Sequence, residues 1–172
     1  MDYFKLFDLP VGFKVDAKLL RKRFFEKSRT AHPDHFVNGS TQEQEGALQT
    51  SAELNKAFKT LSDEDLTTQY ILQQKGLLVP DEKFVLPPSF LMEVMELNEE
   101  LSEVQGSAST GESQELAARL QAFDEELYAP VAGIMEHYRE GSTSEAELLK
   151  VKEYYFKKKY LDRAVARLDQ KL

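Results

Sequence analysis

The sequence predicts an all-α fold, a helical hairpin with flanking short helices followed by an antiparallel three-helix bundle, and three observations carry that expectation. Apolar residues recur at helical spacing almost throughout the 172 residues. No stretch alternates at period two for long enough to make a strand. Helix breakers gather at a few points, with Pro10 and Gly12 first, Asn38-Gly39-Ser40 next, then Pro80, Pro87 and Pro88, and later the Gly106 to Gly111 and Gly141 to Ser144 stretches.

A short first helix is expected over Tyr3 to Leu9, stopped by Pro10 and Gly12. Asp16 then reads as the N-cap of a second helix with the stripe Leu19/Leu20, Phe24, Ser28 and Ala31. Pro33 ends it, because the residue before a proline is pushed out of the α region. Beyond the Asn38-Gly39-Ser40 loop, Thr41 and Gln44 have the spacing of a capping box, and Ala47, Ser51, Leu54, Phe58 and Leu61 form one face of a long helix. The two helices should pack as a hairpin, with Phe24 and Phe58 as its largest core candidates. A shorter helix from about Glu64 to Lys75 carries Leu66, Tyr70 and Ile71 and is closed by Gly76.

The three prolines between residues 76 and 88 mark a linker, so the chain divides into 1–75, the linker 76–88, and 89–172. In the last part a helix from about Ser89 to Gln105 has the core stripe Phe90, Val94, Leu97, Leu101 and Val104. After a turn at Gly106-Ser107-Ala108-Ser109-Thr110-Gly111, a second helix from about Glu112 to Arg139 has the stripe Leu116, Leu120, Phe123, Leu127, Val131, Ile134 and Tyr138. Pro130 lies inside that stripe and should kink the helix or divide it. Gly141-Ser142-Thr143-Ser144 leads into a final helix with Val151, Tyr154, Leu161, Val165, Leu168 and Leu172 inward.

Composition narrows the function. Hydrophobic residues at 41% and charged residues at 30% are ordinary for a globular chain. There is no run of eighteen apolar residues and no leader-like N-terminus, so no membrane partner and a cytoplasmic location are expected. The absence of cysteine removes disulfides, thiolate catalysis and cysteine-held metals. A net charge of −8 argues against a nucleic-acid partner. That charge is unevenly placed: seven bases stand against two acids between Lys14 and Arg29, and ten acids against the single base Arg119 between Glu93 and Glu126. Two separate partner surfaces are the reading this suggests, beside the plainer one of solvated helix faces.

His32-Pro33-Asp34 sits in the turn after the basic helix. On local grounds it is a good helix stop, with Asp34 available to accept backbone N–H bonds or to present a carboxylate. A metal site built from His32, Asp34 and His35 lacks a further group of ligands nearby. A hydrolytic site lacks both a phosphate-binding Gly-rich loop and a nucleophile elbow. No cofactor and no enzyme activity are therefore expected.

The short helix, the basic helix ending in His32-Pro33-Asp34, the loop, and the helix closing in Asn55-Lys56-Ala57-Phe58-Lys59-Thr60-Leu61-Ser62-Asp63 together resemble the J-domain of DnaJ-type co-chaperones over residues 1 to about 75. The resemblance implies that His32, Pro33 and Asp34 trigger ATP hydrolysis by an HscA/DnaK-type chaperone. It makes Arg21, Lys22, Arg23, Lys27 and Arg29 the candidate docking charges. Ala31 stands where many J-domains have tyrosine, and Phe25 and Glu26 occupy positions that are often basic, which implies a specialised chaperone partner.

In the helix beginning near Ser89, Leu91, Met92 and Met95 fall off the core stripe and are interleaved with Glu96, Glu99 and Glu103. A wide bundle core would take them in, or they form a client-binding patch of methionine and leucine rimmed by carboxylates. Over the whole chain, the opening Met1-Asp2-Tyr3-Phe4, the run His32-Pro33-Asp34-His35-Phe36 and Ser89-Phe90-Leu91-Met92-Glu93 resemble the HscB family, the J-proteins dedicated to iron–sulfur cluster biogenesis. This resemblance implies delivery of the cluster scaffold protein to the chaperone. It makes Leu91, Met92, Met95, Glu96, Glu99, Glu103 and Phe156 the scaffold-binding face; a J-domain co-chaperone with a different client is the alternative. Phe156 falls about 200° around its helix from Tyr154, off the inward stripe as well. The cysteine-based N-terminal metal site and the targeting segment frequent in eukaryotic relatives are not found, so a bacterial cytoplasmic member is implied.

Overall fold

The structure, a computed structural model, describes residues 2–106 and 110–169. Among the described residues the chain is all-helical: α1 (Tyr3–Leu6), α2 (Ala17–Thr30), a 3₁₀ turn (Pro33–Phe36), α3 (Thr41–Leu61), α4 (Glu64–Gln74), α5 (Pro88–Gly106), α6 (Thr110–Glu136) and α7 (Glu145–Asp169). They form two compact units, one of residues 1–75 with 138–142, the other of residues 76–137 with 143–172. No helix among the described residues is long and apolar enough to cross a membrane.

In the first unit, the Asp2 carboxylate caps α1 by accepting from the N–H groups of Phe4 and Lys5. The helix is shorter than the expected Tyr3 to Leu9. Asp8 adopts a left-handed φ of 53° and turns the chain before Pro10 is reached. That short helix and the segment after it nevertheless supply the deepest packing, for Phe4, Phe7 and Phe13 are each no more than 1% exposed. Phe24 and Phe58 do stack across the α2–α3 hairpin with ring centroids 4.2 Å apart, yet both are only half-buried. The expectation that they head the core is corrected: a four-residue helix and the irregular segment after it are too short to show a periodicity, so Phe4, Phe7 and Phe13 carry no helical signal.

Asp16 caps α2, accepting from the N–H groups of Lys18 and Leu19 at 2.9 Å each. The cap of α3 lies one residue earlier than the Thr41–Gln44 pair. Ser40 and Glu43 form the reciprocal box, with the Ser40 N–H donating to the Glu43 carboxylate at 2.7 Å. The Ser40 N–H and hydroxyl hold the Glu43 carboxyl below its ordinary range. Gln44 instead closes the preceding loop, donating to the carbonyls of Val37 and Gly39. Asp63 caps α4, and Gly76 takes the left-handed φ of 69° that ends it. Thr67 and Thr68 are buried, and each hydroxyl donates to a backbone carbonyl, those of Thr60 and Glu64.

Tyr138, expected on the inward stripe of the bundle, belongs instead to the first unit, where its ring meets Phe13 edge-on at 5.1 Å. Beside it Glu140 pairs with Lys75 and accepts from the Tyr138 hydroxyl at 2.7 Å. The Lys75 ammonium, and after it the Tyr138 hydroxyl, hold the Glu140 carboxyl below its ordinary value of 4.5. A depressed carboxyl contributes stability above its unfolded value and loses it as pH falls through the folded one. Glu140→Gln is therefore expected to leave the melting temperature less sensitive to acidification below about pH 4.5 than in the unmodified chain, read by thermal denaturation across that range. Identical acid limbs would remove this contribution. The effect should be small, because the Glu140 side chain is half exposed to solvent.

The second unit is a three-helix bundle. Phe90, Val94 and Leu97 from α5 pack with Phe123 from α6 and Leu161 from α7, and Val131, Met135, Leu148, Val151 and Tyr155 are buried further along α6 and α7. Two neighbours replace expected positions, Met135 buried where Ile134 is only half-buried, and Tyr155 buried where Tyr154 is half-buried. Helix α6 runs unbroken through Pro130, so the division considered at that residue does not occur. The expected turn at Ser107-Ala108-Ser109 and the inward positions of Leu168 and Leu172 lie outside the residues whose side chains are described. Residues 76–87 are non-helical, and Glu82 and Phe84 among them reach α7. There Glu82 pairs with Lys152 at 2.5 Å, both side chains largely shielded, and Phe84 stacks on Phe156 at 4.7 Å.

Candidate functional site

Helix α2 divides its charges between two sides. At about 100° per residue, Lys18, Arg21, Lys22, Phe25 and Arg29 fall within one sector of about 100°. All five are exposed, and among the described residues none of these four cations takes part in an ion pair. Arg23 and Lys27 point elsewhere. Arg23 pairs with Glu26 at 3.6 Å and has its Nε buried, while Lys27 reaches Asp8 at 3.0 Å. Of the five docking charges expected, the structure thus brings together Arg21, Lys22 and Arg29, and it sets Arg23 and Lys27 apart. Lys18 and Phe25 belong to the same face and were missed, although the helical spacing alone contained the signal. Ala17, Lys18, Arg21, Lys22 and Phe25 together line a shallow groove there.

His32 follows the end of α2 in an extended conformation (φ −64°, ψ 130°), as the proline after it requires. Pro33 opens the 3₁₀ turn, which is closed by the His35 N–H donating to the His32 carbonyl at 3.0 Å. The His32 Nδ1 accepts from the Asp34 N–H at 3.3 Å and lies 3.4 Å from the Asp34 carboxylate. A neutral imidazole in that arrangement carries its proton on Nε2. The side chains of His32 and Asp34 are 56% and 83% exposed, so the motif faces solvent as a preformed donor–acceptor pair. The His35 ring stands edge-on to that of His32 at 6.5 Å.

In the second unit, Met92, Met95, Glu96, Glu99 and Glu103 of α5 likewise share a sector of about 100°. Met92 and Met95 are 63% and 59% exposed, and the three glutamates are exposed beside them. Leu91 differs from the other expected members, being half-buried against the bundle core. Phe156 is half-buried too, covered by Phe84 and met edge-on by Tyr155 at 5.2 Å. This cover is not legible in the sequence, where the prolines of residues 76–88 mark only a linker. Arg119, the single base in the acidic stretch, is paired with Glu100, so the glutamates around it keep their net negative field.

Among the described residues no three histidine or carboxylate side chains gather as metal ligands. What the two faces offer is charge of opposite sign, each with an exposed apolar centre.

Known proteins resemble this chain over nearly its whole length. Residues 86–169 match a family model described as the HSCB C-terminal oligomerisation domain. A co-chaperone protein HscB homolog from Vibrio cholerae serotype O1 (strain M66-2) is 34% identical over 165 residues, 94% of this chain and 91% of the relative. Among solved structures, the chaperone HscB from Vibrio cholerae matches with a TM-score of 0.73 at 29% identity and full coverage of both chains. The human co-chaperone protein HscB matches with a TM-score of 0.80 at 27% identity, over 99% of this chain and 82% of that one. With the fold of a J-domain followed by a helical bundle and this likeness over nearly its whole length, the chain belongs to the HscB family of co-chaperones.

Proposed function

We propose that the chain joins two proteins, an HscA/DnaK-type chaperone ATPase at the J-domain and an iron–sulfur cluster scaffold protein at the α5 face, and that it works in the bacterial cytoplasm in the maturation of iron–sulfur proteins. The observation that carries this reading is the solvent-facing His32-Pro33-Asp34 turn at the end of a helix face whose cations Lys18, Arg21, Lys22 and Arg29 take part in no ion pair among the described residues. Unsatisfied charges of one sign steer a complementary surface into encounter and fix its orientation. The turn then presents the His32 imidazole and the Asp34 carboxylate to that surface.

The hydrolysis belongs to the chaperone, and this chain acts by binding one of the chaperone's conformations better than another. Holding the scaffold on the same polypeptide turns a three-body encounter into a local one and raises effective concentration. The test is ATP turnover by a purified HscA-type chaperone titrated with this chain, with and without scaffold protein. Saturable stimulation is expected, larger when the scaffold is present. No stimulation at any ratio would overturn the proposal.

A further inference from the structure

Phe25 is 64% exposed in the middle of the cationic face of α2. Its neighbour Phe24 is spent on the hairpin, stacked on Phe58, and among the described residues the ring contact Phe25 makes is with Phe24, tilted at 5.8 Å. Lys18, Arg21, Lys22 and Arg29 surround it, and the face ends at His32. We propose that Phe25 is an aromatic anchor of the chaperone interface, entering an apolar notch in an otherwise acidic surface of the HscA/DnaK-type partner; this rests on the function proposed above.

The charges around it select that occupant. A second copy of α2 brought face to face would oppose cation to cation, which is repulsive. An acidic surface neutralises the four bases and dehydrates the ring between them. Charged contacts at a solvated rim mainly govern the rate of association, whereas a buried aromatic at the centre of an interface slows dissociation. Phe25 thus supplies residence time to a contact that the cations only steer, and it does so at a position where a basic residue would add only more charge.

Chaperone ATPase stimulation is titrated with the unmodified chain, Phe25→Gln, Phe25→Leu and His32→Gln. Phe25→Gln is expected to raise the half-saturating concentration about tenfold, with maximal stimulation kept within about twofold and a loss that persists at high ionic strength. Phe25→Leu, still apolar, is expected to recover most of the affinity. An unchanged half-saturating concentration for Phe25→Gln overturns the anchor, as does a loss confined to the maximal rate, an equal defect in Phe25→Leu, or a lowered melting temperature in Phe25→Gln. Self-association of the unmodified chain that Phe25→Gln abolishes while activation stays normal would assign the ring to a second copy, and overturns it too. Stimulation absent from the unmodified chain sinks the functional proposal and the anchor with it. Stimulation that His32→Gln loses and Phe25→Gln retains unchanged sinks the anchor alone.

Discussion

His32→Gln is expected to bring stimulation of the partner ATPase down by more than about tenfold while the melting temperature stays within the narrow range of surface substitutions. The folded state gives little reason for a stability change. The ring is more than half exposed, and the turn is closed by the backbone bond from the His35 N–H to the His32 carbonyl, which any side chain preserves. Pro33 keeps the extended backbone at residue 32 whatever stands there. A glutamine carbonyl also has the means to accept from the Asp34 N–H as Nδ1 does now. What glutamine lacks is a rigid ring with a donor fixed on its far side. If the chaperone reads that donor, geometry and solubility survive while the trigger is lost. Stimulation by His32→Gln equal to that of the unmodified chain, at matched concentration, would instead reduce the motif to a helix stop.

The ease with which this turn was found, against the difficulty of the rest, follows from how far each signal extends along the chain. Helix α2 has Asp16 as its cap, and α3 keeps a stripe from Ala47 to Leu61 over four turns, so local chemistry and a long period agree and the hairpin is legible. The same reasoning failed where packing is decided by residues distant in sequence. Phe13 is buried because Tyr138 lies against it, 125 positions later by subtraction of their numbers, and no local pattern announces that. Phe156 is covered because Phe84 comes from a proline-flanked segment that has no periodicity.

The binding faces show the same division. Residues facing outward together on one helix were recoverable from spacing, as with Met92, Met95, Glu96 and Glu99. Sorting Arg21 from Arg23 required knowing that Glu26 lies within reach of Arg23, and the helical arc itself would have shown that Lys18 and Phe25 complete the face. Leu91 is half-buried for a different reason. The bundle core is wider than a strict seven-residue stripe and takes in one residue beside it.

That last difference decides how the scaffold face is best tested. Truncating Leu91 removes a side chain that packs against the bundle core, so a lost interaction would be confounded with a loosened bundle. Met92 and Met95 stand clear of that core. Met92→Ala combined with Met95→Ala is expected to weaken scaffold binding by about a hundredfold, since burying one methionine contributes roughly 1.5–3 kcal/mol and the partial burial each already has reduces the gain. The bundle should melt as before, because neither side chain fills it. Glu99, on the same sector between them, contributes differently: its field extends into solvent, so Glu99→Gln should act mainly on association rate and salt dependence. Calorimetric titration of scaffold into the double variant, with thermal denaturation alongside, separates the outcomes. Unchanged affinity in a folded double variant would mean that the apolar centre of α5 is not where the scaffold sits, and would favour a different client for the bundle.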